Sequence, residues 1–228
     1  MLLTAFPLLI ASCDDEETGN CEPSTASHGY FIADATDLAL DHLYATGDPD
    51  TAEVLVSREH VDHYIQALGL IYDSQLPQRD SIVEKQLHVE TSATAGIVVR
   101  AIGAEWMENW VTGVMPTGNA ILDEMIEEYD LHVIQALNGD ALVTSGFAPV
   151  NARALAYRFK QLPDVQFSEP NITWNNFSKI ECTFDGNLAH VIFYEGWGDC
   201  FAGCAGYHRW EFDADLSGCS ATFTGYYP

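Results

Sequence analysis

Residues 196–210, Gly-Trp-Gly-Asp-Cys-Phe-Ala-Gly-Cys-Ala-Gly-Tyr-His-Arg-Trp, gather the side chains of this chain best suited to chemistry. Cys200, Cys204 and His208 are spaced C-x3-C-x3-H, which zinc can accept, although no fourth ligand stands nearby. A catalytic thiol would need an activating base and a lowered pKa. The chain carries 34 acidic residues against 9 lysines and arginines, a balance that pushes a thiol pKa upward. The third possibility is an oxidised loop with Cys200 and Cys204 closed on each other. Which of the three holds depends on the compartment.

Other candidates are weaker. His60 and His63, three apart beside Glu59 and Asp62, sit where a helix would bring them together, so a carboxylate-histidine metal site is conceivable. The alternative for both is the solvated flank of an amphipathic helix, which is the reading preferred here. Asp213-x-Asp215-x-Ser217-Gly218 opens like a calcium loop, but Thr224 stands where the twelfth-position acid belongs, so a tight turn is expected. Trp106, Trp110, Trp197, Tyr207 and Trp210 could form a ligand platform; core and loop packing is the expectation.

The N-terminus decides the compartment. Residues 1–12 hold a short apolar run followed by small residues, the pattern of a signal peptide. Leu9-Ile10-Ala11-Ser12-Cys13 resembles the lipobox of bacterial lipoproteins, which implies acylation of Cys13 and anchoring at the outer membrane or cell surface. The Asp14–Glu17 run behind it resembles the export signal of Bacteroidota surface lipoproteins. Residues 13–29 have too few large apolar side chains to bury, and a disordered tether is expected. In an oxidising compartment, clustered cysteines mean disulfides. The expected bridges are Cys200–Cys204 and Cys182–Cys219, with Cys21 left over; spacing alone does not fix the connectivity. The formal charge of −25 repels nucleic acid and anionic lipid, so neither is expected as a partner.

Five segments follow. After the signal peptide (1–12) and tether (13–29) comes a helical segment, 30–95. Ser57 is a plausible N-cap there, with Val61, Tyr64, Ile65, Leu68, Ile71 and Tyr72 on one face. Residues 74–80 read as a loop and 83–89 as a possible strand. In 96–171 the pattern becomes orderly. A strand at Gly96–Ile102 precedes an aromatic-rich insertion, 104–115, and a helix capped by Thr117. Strands at Leu131–Leu137 and Ala141–Ser145 flank Asn138-Gly139, a strong hairpin signal because both turn residues need positive φ. A helix then begins with Pro149 in its first turn, and Val165 and Phe167 belong to a closing strand. This is a ferredoxin-like β-α-β-β-α-β order. Residues 172–228 read as a separate Cys-rich module of antiparallel strands. The fold class is therefore α+β.

Leu162 to Asn171 (Leu-Pro-Asp-Val-Gln-Phe-Ser-Glu-Pro-Asn) resembles the end of a subtilisin propeptide, the family of peptidase-inhibitor domains. Gly118 to Gln135 is similar to that family's first helix and second strand. The resemblance implies a protein partner, an extracellular subtilisin-like protease. It also implies that Val165, Phe167, Glu169, Pro170 and Asn171 approach the protease cleft. No subtilase catalytic motif occurs in the chain. The expected function is thus partner binding without catalysis, metal or cofactor. A metal-dependent hydrolase at His60 and His63, or a structural or carbohydrate-binding surface protein, are the alternatives.

Overall fold

The computed structural model describes residues 21–92, 94–137, 139–147, 149–174, 177–200 and 203–228. The expected signal peptide (1–12), Cys13, the start of the expected tether and Asn138 lie outside them.

The chain is α+β, built on two antiparallel four-stranded sheets, each with its own helices and core. The first core joins the two ends of the chain. Helix α1 (Thr25–Thr46) starts where Ser24 accepts a hydrogen bond from Ser27 N–H and stops at Gly47 in the left-handed region. Helix α2 (Arg58–Asp73) is capped by Ser57, as expected, and buries Val61, Tyr64, Ile65, Leu68 and Ile71. Helix α3 (Pro77–Glu84) occupies residues read as loop and strand; Pro77 sits in its first turn, where its missing N–H costs nothing. These helices pack on the strands β7 (Ser178–Asp185), β8 (Leu188–Trp197), β9 (Gly206–Asp215) and β10 (Ser220–Tyr227), paired in the order β10-β9-β8-β7. Phe31 of α1 lies 6.0 Å from Phe193 of β8, ring centre to ring centre, and Phe193 meets Phe212 of β9 edge-on. Residues 172–228 are therefore not a self-contained module: one face of their sheet is the floor of the N-terminal helices.

Between the two halves of this unit lies the ferredoxin-like one. Strands β2 (Ile97–Arg100), β3 (Leu131–Leu137), β4 (Asp140–Ser145) and β5 (Phe167–Pro170) pair in the order β3-β4-β2-β5. Helix α5 (Ala120–Tyr129) contributes Leu122, Met125 and Tyr129 to its core, and α6 (Ala152–Phe159) contributes Leu155, Ala156 and Phe159. The N-cap of α5 is Asn119, two residues beyond Thr117; its side-chain Oδ1 accepts from Ile121 and Leu122 N–H. Pro149 precedes α6 instead of entering it, because Asn151 takes the cap. The aromatic insertion forms α4 (Glu105–Val111), whose Trp106 and Trp110 are buried, Trp110 stacking on Phe159. A two-stranded ladder links the units: β1 (Thr91–Ser92) with β6 (Thr173–Trp174).

The disulfides correct two expectations. Cys200 and Cys204 do close on each other. Cys219, however, is bonded to Cys21, across 198 residues, and Cys182 is a free thiol. Cys182 sits on edge strand β7, whereas Cys219 lies in the turn between β9 and β10. At about 4.8 Å per strand the two are on the order of 10–14 Å apart, beyond the reach of a disulfide. Cys21 is 4% exposed and α1 starts at Thr25, so residues 21–29, the second half of the expected tether, are part of the fold.

Candidate functional site

In the ferredoxin-like unit the helices cover one face of the sheet and leave the other open. Alternation along each strand decides which side chains stand where. Ile97 and Val99 of β2, and Ala141 and Val143 of β4, point into the core. Val98 and Arg100 of β2 and Asp140 and Leu142 of β4 point the other way, in register as Val98 with Leu142 and Arg100 with Asp140. Ile134 of β3 (61% exposed) and Phe167 of β5 (37%) are the large apolar side chains most open to solvent in these strands. Arg100 grips Asp140 through two hydrogen bonds, Nε to Oδ1 at 2.5 Å and NH2 to Oδ2 at 2.7 Å. Those bonds hold the Asp140 carboxyl below its usual range. The open face thus carries an apolar strip and a closed ion pair.

Strand β5 forms one edge of this sheet, opposite β2, with no further strand on its outer side among the described residues. Of the residues expected to meet a partner, Phe167 and Glu169 are exposed here, opposite Arg100 and Val98. Val165 is half-buried and packs on the core, so it supports the strand from beneath. Pro170, half-buried opposite Ile97, has no N–H to donate and suits an edge. Asn171 donates its backbone N–H to Gly96 O at 2.8 Å, and the chain continues into β6. The exit from β5 is therefore tied down at both ends, so what it offers a partner is an edge and a face. Sequence reasoning missed Ile134, because it sits where the β3–β4 register shifts between Val133 and Gln135 and simple alternation breaks.

The other candidates separate. His60 Nε2 lies 2.8 Å from Asp50 Oδ2, and ligand atoms of Asp48, Asp50 and His60 fall within 4.8 Å of one another. This is where the described residues could hold a divalent cation. The partners of His60 come from the Asp48–Asp50 turn and not from its own helix, because His63 is turned toward Phe184, ring centres 6.1 Å apart. Asp215 Oδ1 accepts from Ser217 N–H, Ser217 Oγ–H and Gly218 N–H, which closes the turn expected there and lowers the Asp215 pKa. Of the five platform aromatics, Trp106, Trp110 and Trp210 are buried, while Trp197 and Tyr207 are exposed. No helix among the described residues is long and apolar enough to cross a membrane. No protein-family model, curated protein or solved structure matches this chain.

Proposed function

We propose that the chain is an exported, lipid-anchored surface protein that binds a protein partner through the open face and edge of its ferredoxin-like sheet. The partner that the propeptide resemblance favours is an extracellular subtilisin-like protease, which this sheet would inhibit. The observation that carries the reading is the sheet order β3-β4-β2-β5, which among the described residues leaves β5 unpaired on one side, with Phe167 exposed on it and Ile134 exposed on β3 at the opposite edge. An unpaired edge offers backbone N–H and C=O groups to a partner strand, and an adjoining apolar strip supplies burial. Export is supported by the two disulfides, which persist in oxidising compartments. Anchoring rests on the lipobox resemblance at Cys13.

The test is a fluorogenic peptidase assay of purified protein against subtilisin-like proteases. Inhibition at micromolar concentration or below is expected, weakened about tenfold or more by Phe167→Asp, as for an exposed aromatic at an interface centre. No inhibition at micromolar concentration would sink the inhibitor reading.

A further inference from the structure

We propose that Trp197, His208 and Tyr226 form a binding site for a neutral oligosaccharide, separate from the open face of the ferredoxin-like sheet. The three rings lie at the end of the C-terminal sheet, past the point where helices α1–α3 cover it. Trp210 is the last covered aromatic, 6% exposed, with Lys85 Nζ 5.8 Å from its ring centre. Beyond it the rings run across three strands. The Trp197 and His208 centres are 6.3 Å apart, and the His208 and Tyr226 rings are 6.2 Å apart and parallel to within 4°. Trp197 is 50% exposed and Tyr226 47%.

The outermost ring is held in place. Trp197 pairs with Gly206 across β8 and β9, and its indole lies on that glycine. A Cβ added at Gly206 would come within 2.9–3.0 Å of the indole atoms Nε1, Cε2 and Cζ2, so only glycine lets the ring lie flat there. The Trp197 carbonyl accepts from Ala205 N–H at 2.8 Å, and Cys200–Cys204 closes the loop beyond. An exposed aromatic fixed by its neighbours loses little freedom when it binds.

Local charge indicates the ligand. In a chain of net charge −25, Lys85, which lies over neighbouring Trp210, and Glu195, in register opposite His208, are paired with each other at 3.0 Å. Among the described residues the exposed large apolar side chains of β8–β10 are all aromatic, Trp197, Tyr207, Tyr226 and Tyr227. The patch presents flat π-faces with hydroxyl and imidazole groups between them; Tyr226 Oη and His208 Nδ1 are 3.1 Å apart. A pyranose ring matches this surface, with a C–H face to lay on an aromatic ring and hydroxyls for the polar atoms.

The test is titration of the protein with a panel of neutral glucan, xylan, mannan and galactan oligosaccharides, followed by calorimetry and tryptophan fluorescence. Saturable binding of at least one is expected. Trp197→Ala and Tyr226→Ala should each weaken it about tenfold, the size of a lost aromatic stacking contact. Gly206→Ala, which tilts the indole without removing it, should weaken it by a smaller factor. Circular dichroism must show all three variants folded. Failure of every neutral oligosaccharide at millimolar concentration would overturn the site, as would binding that survives Trp197→Ala or binding of anionic polysaccharide alone. Concentration-dependent dimerisation abolished by Trp197→Ala would reassign the patch to self-association. None of these outcomes bears on protease inhibition through Phe167.

Discussion

Asp73, the last residue of α2, accepts two hydrogen bonds from Ser24, the residue that caps α1: Oδ2 from the backbone N–H at 2.9 Å and Oδ1 from the hydroxyl at 2.7 Å. Ser27 Oγ adds a third, to Oδ2 at 2.9 Å. One carboxylate therefore fixes the start of the first helix to the end of the second.

Partial burial opposes the Asp73 charge, but the bonds from Ser24 and Ser27 prevail and lower its pKa. A carboxyl with a depressed folded pKa contributes stability above its unfolded value, about 3.9, and that contribution is lost as pH falls through the folded value. Asp73→Asn should cost about 0.5–1.5 kcal/mol at neutral pH, the scale of a net hydrogen bond at an exposed cap. In thermal melts the gap between wild type and variant should close as the pH is lowered past the native pKa. A gap independent of pH would show that the amide loses something other than charge.

The Cys21–Cys219 bridge closes a loop of nearly the whole chain. Cys219→Ser should lower stability by about 2–5 kcal/mol, and reductant should do the same to the wild type. Denaturant titrations with and without reductant measure this, and Cys200→Ser/Cys204→Ser isolates the contribution of the short loop.

Phe31 and Phe193 belong to distant parts of the sequence but share one core. Phe31→Ala and Phe193→Ala should each cost about 3–5 kcal/mol, and the double variant less than their sum. If the N-terminal helices and C-terminal sheet were independent, helical and β-sheet signals would melt at different temperatures in the variants. A shared midpoint is expected.

Cys182 is the one free cysteine among the described residues, and burial alone pushes its thiol up to about 12. It should ignore a thiol reagent at pH 8 under native conditions and react fully in denaturant. Rapid native labelling would mean that β7 opens away from the sheet.

Much of this was legible in the chain. The apolar spacing of α2 and α5, the hairpin between β3 and β4, and the order of the ferredoxin-like unit all follow from local periodicity and turn chemistry. Helix α1 was legible only as part of a helical segment, without its bounds or its buried face, and the reason is physical. Its buried face includes Ser27, Asp34, Thr36 and Asp37, which blur the apolar stripe. Asp34 is buried to accept from Val89 N–H at 2.8 Å, and it pairs with His88 at 2.7 Å. That carboxylate organises residues read as a strand. The partner of Cys219 was hidden for a different reason: pairing across 198 residues depends on which helix lies on which sheet, and no local window contains that.

The interleaving of the two units sets an order of assembly. The ferredoxin-like core draws almost all its residues from one continuous stretch, Val54 being the outlier, so it can form while the chain is still emerging. The other core waits for β7, β8 and β9, which supply Ile180, Val191, Phe193, Trp210 and Phe212 and are finished only at Asp215. Until then α1 and α2 have an apolar face and no floor, which is a state that chaperones bind. A chain stopped before β9 would leave much of that face uncovered and Cys21 without Cys219, its partner.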